Sequence, residues 1–454
     1  MTGTALPALG YRRLRRAAWH RLLGRELAAA ASVHWVTQWY PGEALAAMQW
    51  EQLCALVAHA RATSEFYRLR LEGAAIDPVL TPAGFRRIPP LRRQDIEAYW
   101  AGKSGAAGSS GILQRRSGGS SGEEVRIPLD RATYCWYIAG NLRGLRWWGA
   151  DFTDRGAILL GSGGTGLGRL AVQVKDWAMN WLRIVVGDGF GEAPDVALDR
   201  MAAFRPTFLY GYPSAVHRLV RAVRAREASW RGQLKVIVLT GEPVYAFQRR
   251  AIEETFSCPV AEEYGNGEMG NIAFQCPLGT LHATVENVLL EVQMQPAGNG
   301  DGGAILATQL RNRLFPLIRY HTGDWGTVTA STCGCGRALP ELRIAGRAQE
   351  QLVNGRGLVL ARPRLESLFS GLPAHLQGAV QLVHHRPGAI TCRVRRPRDA
   401  SRDLGCVASL AAEIFGPDWK VDAVEVARFS RLPSGKLPYF VLSQADDDSP
   451  VHHE

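Results

Sequence analysis

The hydrophobic pattern divides the chain into three stretches. Up to about residue 100, apolar positions recur at helical spacing, as in residues 51–60, and the run 88–91 with its two prolines interrupts that pattern. From about residue 125 to 330, short apolar runs alternate with helix-like segments, which predicts βαβ units around a largely parallel sheet. After Gly346-Arg347, a helix near 364–368 and two or three β-like runs predict a small α+β domain.

The strands predicted for the middle stretch end at glycines. Three apolar runs are each followed by a glycine turn: residues 157–160 before Gly161, 208–210 before Gly211, and 236–239 before Gly241. Two later runs, residues 288–292 and 303–308, are predicted to be antiparallel strands. Because ligands of α/β proteins bind where parallel strands end, the glycine turns predict a binding site.

Length and composition narrow the class of protein. The 454 residues suffice for two or three domains, and 46% hydrophobic with 21% charged residues is typical of a soluble globular protein. No run approaches the roughly 18 consecutive apolar residues of a membrane span, and the basic segment 11–21 lacks the apolar core of a signal peptide, so we expect a cytoplasmic protein. The net charge of +11 fits nucleic acid, an anionic membrane or a polyphosphate ligand. Because the basic residues are scattered and no nucleic-acid fold signature accompanies them, we expect no nucleic-acid partner.

One glycine–serine loop stands out, Arg116-Ser117-Gly118-Gly119-Ser120-Ser121-Gly122. Glycine lets the backbone approach a ligand closely, and successive N–H groups with serine hydroxyls can surround phosphate oxygens. Taken alone, the loop is equally well interpreted as a flexible linker.

Further loops decide between these interpretations. Residues 161–166 match G-x-G-x-x-G, but about 100 helical residues precede them, which disfavours nicotinamide or flavin binding. The Walker pattern is absent, so any ATP must be bound in another manner. Three turns carry chemistry: Tyr264-Gly265-Asn266-Gly267-Glu268 offers an aromatic ring and a carboxylate, Tyr320-His321-Thr322-Gly323-Asp324 a second carboxylate, and Leu432-Pro433-Ser434-Gly435-Lys436 a lysine.

In this order and spacing, the motifs resemble the adenylate-forming superfamily of acyl-CoA synthetases and adenylation domains. The resemblance covers nearly the whole chain and is closest to the phenylacetate–CoA ligase branch with its capsule-biosynthesis-type relatives. The motifs that carry it are Ser117 to Gly122, Gly241-Glu242-Pro243, Tyr264 to Glu268, Cys276-Pro277-Leu278-Gly279-Thr280-Leu281-His282, Cys333-Gly334-Cys335-Gly336-Arg337 and the C-terminal Ser434-Gly435-Lys436.

The resemblance implies an α/β fold in two domains. Residues 1–346 would form a large ATP- and carboxylate-binding domain with mixed, largely parallel sheets flanked by helices, and residues 347–454 a small, mobile α+β domain carrying the catalytic lysine. It also implies a two-step reaction in which a carboxylate attacks the α-phosphate of ATP and a thiol or amine then displaces AMP. The small domain would rotate between the two steps, so that Lys436 is present only for adenylation.

The resemblance assigns roles residue by residue. Lys436 and Glu268 would be catalytic, Lys436 by stabilising charge in the transition state and Glu268 by holding Mg²⁺. The ATP-binding residues it implies are Ser117, Gly118, Gly119, Ser120, Ser121, Gly122, Gly241, Glu242, Pro243, Tyr264, Gly265, Asp324 and Arg347. Among these, Ser120 and Ser121 would hold the β- and γ-phosphates, Tyr264 would stack on adenine beside residues 241–243, and Asp324 would bind the ribose hydroxyls with Arg347 nearby.

Aromatic side chains suggest which kind of carboxylic acid the protein binds. An aryl or arylacetic acid would suit a pocket lined by Tyr134, Tyr137, Tyr210, Gly211, Tyr212, Pro213, Asn266 and Gly267. Any one of these aromatic residues is at least as easily explained as part of the core.

Four residues indicate a structural zinc site. Cys276, His282, Cys333 and Cys335 supply three thiolates and an imidazole, a set suited to tetrahedral Zn²⁺. The C-x-C spacing is tighter than usual, and the alternative is four unrelated buried residues. The resemblance to the phenylacetate–CoA ligase branch, which shows a similar arrangement, favours zinc.

Two departures from the family keep alternatives open. Glu123-Glu124 follow the loop where relatives often carry Lys-Pro, and Arg347-Ala348-Gln349-Glu350 leaves the hinge residue unassigned. CoA is the expected acyl acceptor, with an acyl carrier protein or an amine as alternatives, and a non-catalytic nucleotide-binding or scaffold protein is the third hypothesis. The oligomeric state is open, a homodimer being one alternative.

Overall fold

A computed structural model describes most of the chain. The described residues are 24–101, 113–118, 124–161, 166–185, 193–226, 229–294, 302–347, 352–353, 359–360, 362–395, 399–429, 432 and 436–442. Residues 119–123 of the glycine–serine loop, 162–165 of the G-x-G-x-x-G match and 348–350 after the predicted boundary lie outside them.

Helices form the N-terminal region, as its periodicity predicts. They are α1 (24–37), α2 (Gly42–Thr63), α3 (Glu65–Gly73), α4 (Pro82–Arg87) and α5 (Arg93–Ala101). Side-chain caps set two of the starts: Ser64 accepts a hydrogen bond from the amide of Tyr67, and Thr81 accepts one from Gly84, with Pro82 in the first turn. The prolines at 89 and 90 separate α4 from α5, because the residue before a proline is disfavoured in a helix.

A β-hairpin follows, formed by β1 (Leu113–Gly118) and β2 (Glu124–Leu129). The strands are antiparallel, and Gly118 pairs with Glu124 at the open end of the glycine–serine loop. The pairing of β1 with β2 therefore fixes both ends of the loop.

One mixed sheet of eleven strands forms the centre of the molecule, in the order β10-β11-β12-β13-β9-β8-β7-β6-β5-β3-β4. Its strands are β3 (Gly156–Leu159), β4 (Trp181–Ile184), β5 (Phe208–Gly211), β6 (Val236–Thr240), β7 (Val260–Asn266), β8 (Gly270–Gln275), β9 (Leu281–Ala283), β10 (Val288–Gln293), β11 (Gly303–Gln309), β12 (Tyr320–Thr329) and β13 (Glu341–Arg347). Neighbours among β4, β3, β5, β6 and β7 pair in parallel, and the remaining neighbours pair antiparallel. The predicted mixed α/β class is confirmed.

Helices cover both faces of the parallel strands. They are α6 (Arg131–Trp147), α7 (Gly166–Ala178), α8 (Pro194–Phe204), α9 (Pro213–Arg224) and α10 (Ala246–Phe256), with a 3₁₀-helix at Ser229–Gln233. Strand β6 shows why its sequence is continuously apolar: Val236 and Val238 belong to the core beneath α6, whereas Ile237 and Leu239 belong to the core beneath α8 to α10. A strand buried on both faces needs apolar side chains at every position.

A second, four-stranded sheet lies in the C-terminal part, in the order β18-β17-β16-β19. The elements after the predicted boundary are β14 (Leu352–Val353), β15 (Val359–Leu360), α11 (Arg362–Gly371), β16 (Val380–Arg386), β17 (Ala389–Arg395), α12 (Ala400–Phe415), β18 (Lys420–Val426) and β19 (Phe440–Leu442). This α+β composition agrees with the sequence pattern. The predicted boundary at 346/347 falls at the end of β13.

Aromatic side chains join the regions of the two sheets. Tyr245 and Phe247, at the start of α10, belong to the same core cluster as Phe369 of α11 and Tyr439 before β19. The ring of Tyr245 lies 5.0 Å from that of Phe369 and 5.4 Å from that of Tyr439. The C-terminal region therefore packs directly against the turn that follows β6. Among the described residues, no helix is long and apolar enough to cross a membrane.

Candidate active site

Lys436 lies against the glycine turn that follows β6. Its Nζ is 5.7 Å from the ring centre of Tyr212, and a Cβ atom on Gly241 would lie 3.3 Å from its Cε and 2.9 Å from the Tyr212 ring. Gly241 has φ +77°, a conformation that favours glycine. A side chain at this position would therefore be strained and would crowd both the tyrosine and the lysine.

The charge on Lys436 is set by burial and by several ionic neighbours. Burial lowers the pKa of Lys436 below its ordinary value of 10.5, and the positive charge of Arg347 acts in the same direction. Three carboxylates oppose this lowering of the pKa: Glu242, Glu268 and Asp324. The predicted catalytic lysine and the three predicted acidic residues thus lie close enough to interact.

The side chains of Tyr264 and Asp324 are hydrogen-bonded to each other. The Tyr264 hydroxyl donates to Oδ2 of Asp324 at 2.6 Å, and Nε of Arg347 lies 3.4 Å from Oδ1 of the same carboxylate. Strand pairing explains the second contact, because Asp324 in β12 is opposite Arg347 in β13. Burial raises the pKa of Asp324, whereas Arg347 lowers it. Three predicted ATP-binding residues therefore form one polar group.

Glu268 has a cationic neighbour that the sequence motifs did not include. Nη1 of Arg93, at the start of α5, lies 3.2 Å from Oε1 of Glu268, and the Tyr320 hydroxyl donates to the same oxygen at 3.2 Å. The Glu268 side chain is almost completely buried. Arg93 is a functional candidate that motif spacing missed, because it belongs to none of the glycine turns.

Glu242 contacts both parts of the molecule. Its Oε2 accepts a hydrogen bond from the amide of Ser214 at 2.9 Å, and its Oε1 accepts bonds from the Ser214 hydroxyl at 2.9 Å and from the amide of Leu437 at 2.7 Å. Burial raises the pKa of Glu242, and these hydrogen bonds with the charge of Lys436 oppose the rise. The side chain of this predicted ATP-binding residue thus accepts hydrogen bonds from other residues of the protein.

The glycine–serine loop is only partly described. Ser117 and Gly118 end β1, and Gly119, Ser120, Ser121 and Gly122 lie outside the described residues. Pro243, the third residue of the Gly241 motif, follows Glu242 in the turn before α10. Gly265 lies in β7, where an added Cβ atom would be 2.3 Å from the carbonyl oxygen of Gly270.

The residues predicted for the acid pocket lie on neighbouring elements: Tyr134 and Tyr137 in α6, Tyr210 and Gly211 in β5, Tyr212 and Pro213 at the start of α9, and Asn266 and Gly267 at the turn after β7. Tyr134 and Tyr210 pack against the same core cluster. The Tyr210 hydroxyl donates to the buried Glu263 at 2.8 Å, and Tyr137 is only 2% exposed. Tyr137 therefore presents almost no surface to a ligand in this arrangement.

The four predicted zinc ligands come together. Ligand atoms of Cys276, His282, Cys333 and Cys335 all lie within 4.8 Å of one another. Sγ of Cys276 is 3.7 Å from Sγ of Cys333, and Sγ of Cys335 is 3.3 Å from Nε2 of His282. A tetrahedral ion with Zn–S bonds of about 2.3 Å separates its sulfur ligands by roughly 3.8 Å. The observed spacing therefore fits zinc.

The histidine of this cluster is oriented by the backbone. Nδ1 of His282 lies 2.9 Å from the carbonyl oxygen of Leu339, which directs Nε2 toward the cysteines. The amide of Gly279 donates to the carbonyl of Cys276 at 2.9 Å, which forms the turn that carries the first ligand. A hydrogen bond to the second ring nitrogen is typical of histidines that bind a metal ion.

Comparison with known proteins finds relatives that include phenylacetate-coenzyme A ligases. No family model matches the chain. Phenylacetate-coenzyme A ligase of Thermus thermophilus is 26% identical over 373 residues, which are 77% of this chain and 80% of that protein. The enzyme of the same name from Escherichia coli is 23% identical over 360 residues, or 75% of this chain and 80% of that protein. Protein CapK of Staphylococcus aureus is 25% identical over 146 residues, 32% of each protein.

Solved structures agree on the fold. A 2-hydroxyisobutyryl-CoA ligase in its postadenylation state, with 2-HIB-AMP, aligns with a TM-score of 0.73 at 18% identity, covering 89% of this chain and 91% of that one. The same ligase in its thioesterification state, with 2-HIB-AMP and CoA, aligns with a TM-score of 0.59, covering 88% and 90%. The predicted resemblance to the adenylate-forming superfamily is confirmed.

Proposed function

We propose that this chain is an AMP-forming acid–CoA ligase that activates an aryl or arylacetic acid as an acyl-adenylate. The observation that carries the proposal is the position of Lys436, which the C-terminal region inserts beside the glycine turn after β6. There it lies within electrostatic range of Glu242, Glu268 and Asp324. A cation at this place meets the need of a reaction in which negative charge accumulates on phosphate oxygens.

The first step joins the acid to ATP. A carboxylate oxygen of the acid attacks the α-phosphorus, a P–O bond forms, and the bond to the β-phosphate breaks to release pyrophosphate. Lys436 interacts with the acid's carboxylate and the α-phosphate and stabilises their charge as it shifts. The Lys436 side chain must be protonated for this role, and the surrounding carboxylates favour the protonated form.

ATP is held by the polar group across β7, β12 and β13. Tyr264 stacks on adenine beside the turn at residues 241–243, Asp324 accepts hydrogen bonds from the ribose hydroxyls, and Arg347 lies next to it. The short Tyr264–Asp324 bond supports this role, because it fixes the carboxylate before the nucleotide arrives. Ser120 and Ser121 hold the β- and γ-phosphates.

Magnesium fits the acidic side of the site. Mg²⁺ prefers oxygen ligands and is typically shared between one or two carboxylates and substrate phosphates. Glu268 offers such an oxygen ligand in a buried position, with Arg93 and Tyr320 holding its Oε1. When bound, the ion neutralises phosphate charge.

The second step transfers the acyl group. A thiolate attacks the acyl carbonyl, a C–S bond forms, and AMP leaves with the carboxyl oxygen it had gained. CoA is the proposed thiol, and an acyl carrier protein or an amine are the alternative acceptors. We assign residues 1–346 and 347–454 to two domains, of which the smaller rotates between the steps and withdraws Lys436.

The Cys276, His282, Cys333 and Cys335 cluster holds a structural zinc ion in this proposal. All four ligands are supplied by the protein, so the ion keeps no open position for substrate. It ties the turn after β8 to the loop before β13. A cytoplasmic location and a homodimer stay predictions.

Pyrophosphate release on a panel of aryl and arylacetic acids tests the proposal. We expect ATP- and Mg²⁺-dependent release with at least one acid, followed by a thioester when CoA is added. Carrier protein and amines tested in parallel identify the acceptor. If ATP binds but no acid elicits pyrophosphate release, the chain is a nucleotide-binding or scaffold protein of this fold and the enzymatic proposal is wrong.

A further inference from the structure

We propose that Glu242 is a positioning residue that holds the loop of Lys436 in the adenylation arrangement. The inference rests on the proposed function, because it concerns the same lysine. It assigns to Glu242 a role other than contact with the nucleotide: the carboxylate connects the N-terminal end of α9 to the backbone next to Lys436. The connection spans the two parts of the molecule that must separate between the half-reactions.

The carboxylate uses both of its oxygens. Oε2 accepts the Ser214 amide at 2.9 Å, while Oε1 accepts the Ser214 hydroxyl at 2.9 Å and the Leu437 amide at 2.7 Å. Hydrogen bonds to an ionised acceptor are stronger than those between neutral groups. Glu242 is therefore fixed by α9 and in turn fixes Leu437, the residue directly after the lysine.

The two sets of bonds differ in what the domain rotation does to them. Ser214 and Glu242 both belong to the large predicted domain, so their bonds persist when the C-terminal region moves. The bond to Leu437 crosses to that region and must break. Glu242 thus stays oriented by Ser214 after the loop leaves, which preserves a ready acceptor for the returning Leu437 amide.

The aromatic contacts between the two regions do not by themselves fix the position of Lys436. Tyr245 packs on Phe369 and Tyr439 with ring centres 5.0 and 5.4 Å apart. Such contacts tolerate sliding, because the hydrophobic effect is non-directional. A hydrogen bond of 2.7 Å to a backbone amide one residue from Lys436 sets the position of the loop itself.

Glu242→Gln tests the inference with nearly the same side-chain volume. The glutamine amide keeps one acceptor oxygen, but its NH₂ group replaces the other. At that position two hydrogen-bond donors, the NH₂ group and the group that had donated to the carboxylate, face each other. At least one hydrogen bond is therefore lost. We expect the kcat of ATP–pyrophosphate exchange to fall about 10- to 100-fold. Thioester formation from a supplied acyl-adenylate should change by no more than about twofold, because that step does not need Lys436.

Two further measurements separate loop positioning from nucleotide binding and from misfolding. Ser214→Ala removes only the hydroxyl bond to the carboxylate and leaves the Ser214 amide bonded to Oε2, so exchange should fall by roughly threefold, less than in Glu242→Gln. Hydrogen–deuterium exchange of the peptide containing Leu437 should be faster in Glu242→Ala, which removes both acceptor oxygens, than in the parent protein, with unchanged exchange in β6. This readout does not depend on catalysis and also identifies a variant that fails to fold.

Distinct outcomes overturn the inference. Unchanged exchange of the Leu437 amide in Glu242→Ala, or an equal loss of both half-reactions in Glu242→Gln, would contradict the positioning role. A higher KM for ATP with kcat unaltered would instead assign Glu242 to nucleotide binding. If the parent protein itself forms no adenylate with any acid, the proposed function fails, and the Leu437 exchange experiment still decides whether Glu242 holds the loop.

Discussion

Arg93 and Glu268 form an ion pair, with Nη1 of the arginine 3.2 Å from Oε1 of the glutamate. The arginine lies at the start of α5 in the N-terminal helical region, and the glutamate lies in the turn between β7 and β8. The Tyr320 hydroxyl bonds the same oxygen at 3.2 Å. Two partners on one oxygen orient the carboxylate, and the proposed Mg²⁺ ligand is thereby held by an element outside the central sheet.

Arg93→Ala should slow Mg²⁺-dependent adenylation without unfolding the protein. Loss of the guanidinium leaves the buried carboxylate less well oriented, and we expect about a 10-fold lower adenylation rate and a higher Mg²⁺ requirement. Magnesium titrations of pyrophosphate exchange measure both. Arg93→Lys, which keeps the charge but loses the planar fork, is the matched control and should fall between the parent and Arg93→Ala. Identical magnesium curves for all three proteins would contradict the role.

Lys436→Ala should separate the two half-reactions. Removing the ammonium group deletes electrostatic stabilisation of the first transition state, and we expect adenylation to fall by about 10²- to 10³-fold. Thioester formation from a supplied acyl-adenylate should be largely preserved, because the proposed domain rotation withdraws Lys436 for that step. Pyrophosphate exchange and thioester assays on the same preparation give the comparison. Equal loss in both assays would show that Lys436 serves the structure rather than adenylation.

Local chemistry could be predicted from the sequence, and so could the sheet beneath it. The run 236–239 is apolar at every position because β6 is buried on both faces, and Gly241 at its end is required by a positive φ. The proposed zinc ligands could be predicted because the residue types suit a metal and the resemblance to the phenylacetate–CoA ligase branch favours one, and the structure brings the four ligand atoms together. These features depend on residues that are close together in the chain or on rare residue types.

Tertiary partners could not be predicted in this way. The amide of Leu437 reaches Glu242 from 195 residues away, and Arg93 reaches Glu268 from 175 residues away. Nothing in the local pattern around a backbone amide or a single arginine indicates its partner. The same holds for the buried pair of Arg143 and Glu286, whose nitrogen and oxygen lie 2.6 Å apart. Such contacts follow from the folded topology and not from spacing in the sequence.

The rate of adenylation should decrease with rising pH earlier than an ordinary lysine would allow. Burial and the charge of Arg347 lower the pKa of Lys436 below 10.5, so the active ammonium form is lost as pH rises through that lowered value. Because the folded-state pKa lies below the unfolded one, the charged lysine opposes folding at neutral pH, and this cost disappears as pH rises through the unfolded-state pKa.

Lys436→Arg provides the control for this pH dependence. A guanidinium stays protonated, so the alkaline decrease should vanish in the variant even though its absolute rate is lower because the geometry differs. Pyrophosphate exchange measured from pH 7 upward gives the profile, and thioester formation from supplied acyl-adenylate should lack the same inflection. An unchanged alkaline limb in Lys436→Arg would assign the titration to another group.

Zinc removal should destabilise the large sheet more than it slows the chemistry. The cluster connects the turn at Cys276 and the strand at His282 to the loop at Cys333 and Cys335, and metal-ligand bonds stabilise such connections by binding only the folded state. We expect about one equivalent of zinc per chain. Cys333→Ser should lose the metal and lower the Tm by roughly 5 °C or more, which corresponds to a few kcal/mol in a large domain.

Cys406→Ser serves as the matched control, because Cys406 is a half-buried free cysteine in α12, outside the cluster. It should keep both the metal and the Tm. Elemental analysis and thermal unfolding of the three proteins decide the point, since destabilisation that comes from losing a thiol in general would affect both variants alike. Parent protein with well under half an equivalent of zinc, together with a Cys333→Ser variant as stable as Cys406→Ser, would mean that the four residues hold no structural metal.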